Sequence, residues 1–114
     1  MSEKVRFVKL YKSYFKDFYI TLDKKAKAKV DWTIQFIEYQ EFVPIEYFKK
    51  LKDTDDIWEI RVRLSSNSFR ILCFFDGGQI IVLENGFKKK TRKTPKSEIQ
   101  KAERIKKQYF NEKE

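Results

Sequence analysis

The residues of this chain whose spacing most suggests chemistry are cations. The stretch NGFKKKTRKTP, from Asn85 to Pro95, places five cations in eleven residues directly after an apolar run. Three arginines, Arg61, Arg63 and Arg70, sit in two further segments that read as strands. Arginine forks match phosphate oxygens in pairs and lysines add point charge, so the combination suits a phosphate chain. The whole chain agrees, with 26 Lys and Arg against 17 Asp and Glu, a net charge of +9 and a pI of about 9.6. Such a balance fits a polyanion such as RNA, DNA or an acidic protein, and it fits plain solubility equally well.

The missing residue types exclude several chemistries. Cys73 is the only cysteine and there is no histidine. A disulfide within the chain is impossible, and so are Cys/His zinc sites and the Ser-His-Asp and Cys-His types of catalysis. Cys73 lies within FRILCFF and reads as a buried structural thiol, because a nucleophile would want a basic partner. Asp53, Asp55, Asp56 and Glu59 form an acidic cluster in KDTDDIWE. They fall mostly in a loop before a strand, which suits a turn with Asx-type capping better than a two-metal site. No metal and no small-molecule cofactor are expected.

The elements that must position these cations follow from periodicity. VRFVKLY (Val5 to Tyr11) is β-branched and aromatic, a strand. Ser13 caps a short helix with Phe15, Phe18, Tyr19 and Leu22 on one face. Asp23 caps a longer one, to about Gln40, carrying Ala26, Val30, Ile34 and Ile37. The two make a helical hairpin. Pro44, followed by Ile45, Phe48 and Leu51, predicts one or two further helical turns. Ile57–Leu64, Phe69–Phe75 and Ile80–Asn85 then read as an antiparallel meander, joined by SSNS and DGGQ. Thr94 and Pro95 open a last helix whose apolar stripe is Ile99, Ala102, Ile105 and Tyr109. The expected class is α+β in one domain spanning 1–114: an N-terminal strand and a three-stranded meander packed on the hairpin, with a closing helix. No window is long and apolar enough for a membrane helix and MSEKVRFVKL lacks a signal-peptide core, so the chain reads as cytoplasmic, with no membrane partner.

Symmetric turns would set Arg63 opposite Arg70 and Arg70 opposite Asn85, one row across the sheet. Like charges placed so are unfavourable by roughly 0.2–1 kcal/mol and need an anion. An internal carboxylate, Glu59 or Glu84, is one candidate, although Glu84 is expected on the opposite face and Glu59 two rows away. The other face, with Trp58, Ile60, Val62, Leu64, Phe69, Ile71, Cys73, Phe75, Ile80 and Val82, forms the core. The arginine row then converges with the lysine loop into a candidate phosphate site.

WEIRVR (Trp58 to Arg63), FRI (Phe69 to Ile71) and GFKKKTRKTP (Gly86 to Pro95), in this order of elements, resemble the RelE/HigB toxins of type II toxin-antitoxin pairs, closest to their phage-derived HigB-like branch. The resemblance covers nearly the whole chain; its most specific part is the GF-x-KK-x-x-KTP segment. It implies a RelE-like fold and a metal-independent endoribonuclease that cuts mRNA, usually on the ribosome, until a cognate antitoxin binds it. Cleavage by the neighbouring ribose 2′-OH needs a base, cations for the charge that builds on the phosphate, and a proton for the 5′ oxygen.

Carried over by position, Arg70 matches the family's strand arginine and would hold the scissile phosphate. Arg61 matches a basic strand position, and Lys89 and Lys90 match the lysine pair after Gly-Phe. Arg63, Lys88, Asn85, Phe87 and Lys93 would line the RNA. Without histidine, the base falls to a lysine whose ammonium is disfavoured by neighbouring cations. Glu59 replaces a lysine of a close relative, which unsettles a two-lysine mechanism and leaves Glu59 as a minor candidate base. Tyr109 falls where some relatives stack a tyrosine on a base, but it equally ends the last helix's core stripe, the better reading. Two alternatives stand beside the ribonuclease. One is a ParE-like inhibitor of DNA gyrase without nuclease activity, which would have no need of a phosphate site there. The other is a plain nucleic-acid-binding module, whose stacking aromatics would be Phe74 and Phe87, with Phe74 better placed under the last helix.

Overall fold

The computed structural model describes residues 3–113 and shows a mixed α/β fold of one five-stranded sheet and three helices. In chain order these are β1 (Phe7–Leu10), α1 (Tyr14–Tyr19), α2 (Lys24–Tyr39), β2 (Phe48–Lys50), β3 (Trp58–Leu64), β4 (Asn67–Asp76), β5 (Ile80–Lys88) and α3 (Lys96–Lys113). The sheet order is β1-β5-β4-β3-β2, with β1 parallel to β5 and every other neighbour antiparallel.

The helical hairpin covers one face. Asp23 caps α2, its carboxylate accepting the Ala26 N–H at 2.8 Å. Ser13 does not cap α1; its hydroxyl turns to the Asp17 side chain instead. A missing cap costs about 1 kcal/mol, whereas burying Phe15 and Phe18 returns about 1.5–3 kcal/mol each, so packing rather than capping holds this short helix. Those phenylalanines join Val30 and Ile37 of α2 and Ile60, Val62, Phe69, Ile71, Cys73, Ile81 and Leu83 of the sheet in the main core. On the opposite face α3 buries Ala102 against Ile57 and Leu72, and Tyr109 against Phe74 and Val82. The stripe read from α3's sequence is the face it buries.

The structure corrects the sequence reading in three places. Pro44 begins only a single turn, its carbonyl accepting the N–H groups of Tyr47 and Phe48. The chain then enters β2, not more helix, because Phe48 fills the core while its backbone pairs with Ile60 of β3. The sheet therefore gains a fifth strand. Next, the β3–β4 turn is made by Ser65 and Ser66, with Ser65 at a left-handed φ of 55°. Arg61, not Arg63, faces Arg70, and Arg63 faces Ser68. A shift of two residues leaves every side chain on its expected face, which is why the error changes the partner without inverting the strand.

The third correction lies between β4 and β5. Asp76 pairs with Ile80 around a loop of three residues, and a bulge follows in which Glu84 and Asn85 both stand opposite Leu72. Arg70 consequently faces Phe87 rather than Asn85. Ile81 and Leu83, not Ile80 and Val82, fill the hairpin-side core, and Val82 turns to α3. The three-residue loop, by pairing Phe74 with Val82, sets Glu84 two residues further along the same α3 face, overturning the expectation that it points away from the side carrying Arg70. Glu84 is fully buried, and neither of its oxygens has a hydrogen-bond partner among the described residues. Burial pushes its carboxyl from an ordinary 4.5 up to about 9, with Lys106 opposing and Glu103 reinforcing the shift. Glu84 is therefore neutral at pH 7.

Two outcomes follow from this packing. A Cβ at Gly86 would overlap the buried ring of Phe18, whereas one at Gly78 would meet nothing. Gly86→Ala should lose about 1–3 kcal/mol in urea unfolding, with Gly78→Ala as the unaffected control. For Glu84, the folded state holds the proton more tightly than the unfolded chain. Its contribution is complete below about pH 4.5 and falls as pH rises toward about 9, by up to about 1.4 kcal/mol per pH unit. Unfolding measured between pH 5 and 9 should show that decline flattened in Glu84→Gln.

Candidate functional site

Strand alternation puts Glu59 and Arg61 of β3 on the same face as Arg70 of β4. Glu59 is fully buried. Its Oε1 accepts from Arg61 Nε at 2.9 Å and lies 3.3 Å from Arg70 Nε, and its Oε2 accepts from the Thr94 hydroxyl. The internal carboxylate is thus the anion that the facing arginines require. Two guanidiniums against one carboxylate still leave a positive charge, so the centre remains attractive to a further anion.

Arg70 is only 9% exposed. Its Nη1 donates to the Phe69 carbonyl at 3.1 Å. Its Nε is close enough to Glu59 to pair in charge but makes no hydrogen bond, leaving a buried donor unfilled. Desolvation holds the guanidinium below its ordinary pKa; Glu59 pulls it back up, and Arg61 and Arg63 add to the lowering. Arginine stays protonated nonetheless. Lys89 continues the ladder past β5, its N–H bonding the Ser68 carbonyl at 2.8 Å. Desolvation lowers the pKa of its ammonium, Arg70 lowers it further, Glu59 opposes, and Arg61 and Lys49 add to the lowering.

Thr94 is the site residue that the sequence reading missed. Thr-Pro before a helix reads as a cap, yet the Pro95 carbonyl accepts the first N–H bonds of α3, from Glu98 and Ile99. The freed hydroxyl reaches Glu59 and ties the end of the lysine loop to the sheet. No local pattern announces this, because the acceptor is thirty-five positions away.

Two clefts meet at the arginine pair. One, of about 800 Å³, is lined by Lys49, Arg61, Lys89, Arg92, Lys93 and Lys96 among others. The second, of about 340 Å³, is lined by Lys29, Glu46, Tyr47, Val62, Arg63 and Arg70, with Arg61 again on its wall. Both lie open to solvent and are strongly cationic.

Of the predicted residues, Arg61, Arg70, Lys89 and Glu59 come together, and Arg63 and Lys93 border the clefts. The others lie elsewhere. Asn85 is buried, its amide donating to the backbone carbonyl and the carboxylate of Glu98 at 3.2 and 2.8 Å. Phe87 is half-buried and packs against the cluster of Ile57, Leu72 and Ala102. Lys88 pairs with Phe69 and lines a cleft beside Tyr14 and Phe18 on the hairpin side. Lys90 is exposed. The Tyr109 hydroxyl donates to Asp76 at 2.6 Å and the ring packs edge-on against Phe74, the core role. In the acidic segment Asp56 pairs with Lys50 and Asp55 with Lys106, while Glu59 turns inward to the arginines.

A mixed α/β domain with a buried carboxylate–guanidinium centre between two cationic clefts has the charge of a site for an anionic ligand. The chain belongs to the phage-derived Gp49-like family: residues 17–107 match the family described as Phage derived protein Gp49-like (DUF891). That span runs from within α1 into α3 and includes every residue of the arginine centre. Membership points to a toxin-like, phage-derived protein. No curated protein matches the sequence.

Glu59→Ala leaves Arg70 buried without its counter-ion. A loss of about 3 kcal/mol is expected in urea unfolding. Part of it should return on adding phosphate or sulfate, which fills the vacated anion position.

Proposed function

We propose that this chain is the toxin of a type II toxin-antitoxin pair, an mRNA endoribonuclease of the RelE/HigB kind that acts on ribosome-bound messages. A cognate antitoxin would hold it inactive. The observation that carries the reading is Arg70: a nearly buried guanidinium paired in charge with Glu59, lining one cationic cleft beside Arg61, which also lines a second with Lys89. Family membership supports the toxin part, and the arginine centre supports the choice of RNA cleavage over gyrase inhibition.

In this reading the scissile phosphate sits against Arg70 and Arg61, whose charge and fixed donors stabilise the growing negative charge on its oxygens. Glu59 keeps both guanidiniums in place; with its oxygens occupied by Arg61, Arg70 and Thr94, it acts as a counter-ion and not as the base. Lys89 is the base. Desolvation and the nearby cations favour its neutral amine, which takes the proton from the ribose 2′-OH. The 2′ oxygen then attacks phosphorus, the bond to the 5′ oxygen breaks and that oxygen takes up a proton, leaving a cyclic phosphate and a 5′-hydroxyl end. No metal enters this reading: Lys89 takes the 2′-OH proton and water supplies the one gained by the 5′ oxygen.

Induced expression in bacteria, with mapping of mRNA 5′ ends, tests the reading. Cuts within translated codons are expected, and Arg70→Ala should reduce them at least about 100-fold, the usual effect of removing one oxyanion donor. Growth arrest with supercoiling defects and no cuts, or a fully toxic Arg70→Ala, would refute it.

A further inference from the structure

The 340 Å³ cleft beside Arg70 has an aromatic wall that the phosphate chemistry does not use. β2 begins only at Phe48, opposite Ile60, so β3 runs on past its neighbour toward Leu64. The gap is closed by Tyr47, whose carbonyl accepts the Arg61 N–H at 2.8 Å, and by α2. Tyr47 thus lies directly across from Arg61, lining the same cleft as Arg63 and Arg70.

Behind Tyr47 stand two more rings. Phe36 is 5.0 Å from it and Trp32 6.0 Å, and these two stack on each other at 5.2 Å with only 9° between their planes. Trp32 is 45% exposed, and the Lys29 ammonium sits 4.3 Å from its ring centre. Three aromatics clustered at the surface are costly to leave wet unless something covers them. The rest of the cleft identifies the occupant: Lys29, Arg61, Arg63 and Arg70 against the single carboxylate of Glu46. Cations beside an aromatic face match a nucleotide, which carries a phosphate and a flat base on one sugar.

We infer that Tyr47, backed by Phe36 and Trp32, is a stacking subsite for an unpaired RNA base next to the phosphate held by Arg70. The inference rests on the ribonuclease reading and adds to it the residue that seats a nucleotide flanking the cut. Stacking tolerates any base, so Tyr47 supplies affinity and position. Glu46, the carboxylate among the described residues lining the cleft, is placed to favour a base that presents an amino group.

The test is equilibrium binding of a 2′-O-methyl single-stranded RNA, which cannot be cut, against the same oligonucleotide lacking its bases. Wild type should bind the intact strand at least about fivefold more tightly than the abasic one. Tyr47→Leu, which keeps apolar bulk against Phe36, should lose about that factor on the intact strand and nothing on the abasic strand, while Tyr47→Phe should match wild type. Arg70→Ala should weaken both strands alike. If Arg70→Ala weakens binding but Tyr47→Leu does not, or if Tyr47→Leu weakens both strands equally, the base subsite is wrong and the phosphate site stands. If neither variant changes binding, both readings fall. Equal wild-type affinity for the two strands overturns the subsite without recourse to any variant.

Discussion

The buried carboxylate of Glu59 is the interaction on which the rest of the site depends. Arg61 and Arg70 face each other across adjacent strands, an arrangement that repels unless an anion lies between them. Taking Glu59 wholly out of water costs several kcal/mol, and that cost is recovered only because its oxygens are occupied from two strands and from the loop before α3. One side chain therefore fixes the spacing of two guanidiniums and anchors the lysine loop. The remaining positive charge stays available to whatever enters the clefts, while the unfilled Arg70 Nε is itself buried against Glu59.

Around that centre the fold divides its labour between the two faces of the sheet. The hairpin of α1 and α2 covers the apolar face and forms the main core with it. The α3 side is mixed: apolar at Leu72, Phe74 and Tyr109, charged toward Arg61 and Lys89. The bulge opposite Leu72 marks the boundary. By placing Glu84 and Asn85 side by side it re-phases β5, so that Phe87 rather than Gly86 completes the row beyond Arg70. A bulge beside a candidate site is a common means of re-aiming side chains. Here it turns Asn85 toward α3, where its amide binds Glu98 in the helix's first turn.

Much of this was legible in the chain. The helical hairpin, the stripe of α3, the cap at Asp23 and the face on which the arginines lie follow from local spacing, and all are found. Strand β2 was hidden because Pro44 and the spacing of Ile45, Phe48 and Leu51 carry a helical pattern, and only burial of Phe48 against Trp58 overrides it. The true partner of Arg70 was hidden because a serine turn and a symmetric loop centred one residue later give registers two apart with the same facing.

The sequence by itself determined composition-level facts and local periodicity: a basic chain with no histidine, the approximate extents of the helices, and a cationic loop following a strand. Those properties depend on residues close together in the chain, where spacing and chemistry are enough. Only the tertiary structure decided that Glu59 bridges the arginines, that Thr94 serves the sheet instead of the helix, and that Tyr47 stands across from Arg61. Each joins segments far apart in sequence, through turn lengths, a bulge and an edge strand whose energies differ too little locally to be read. Their outcome is set by which register buries the most apolar surface while leaving the fewest charges without a partner.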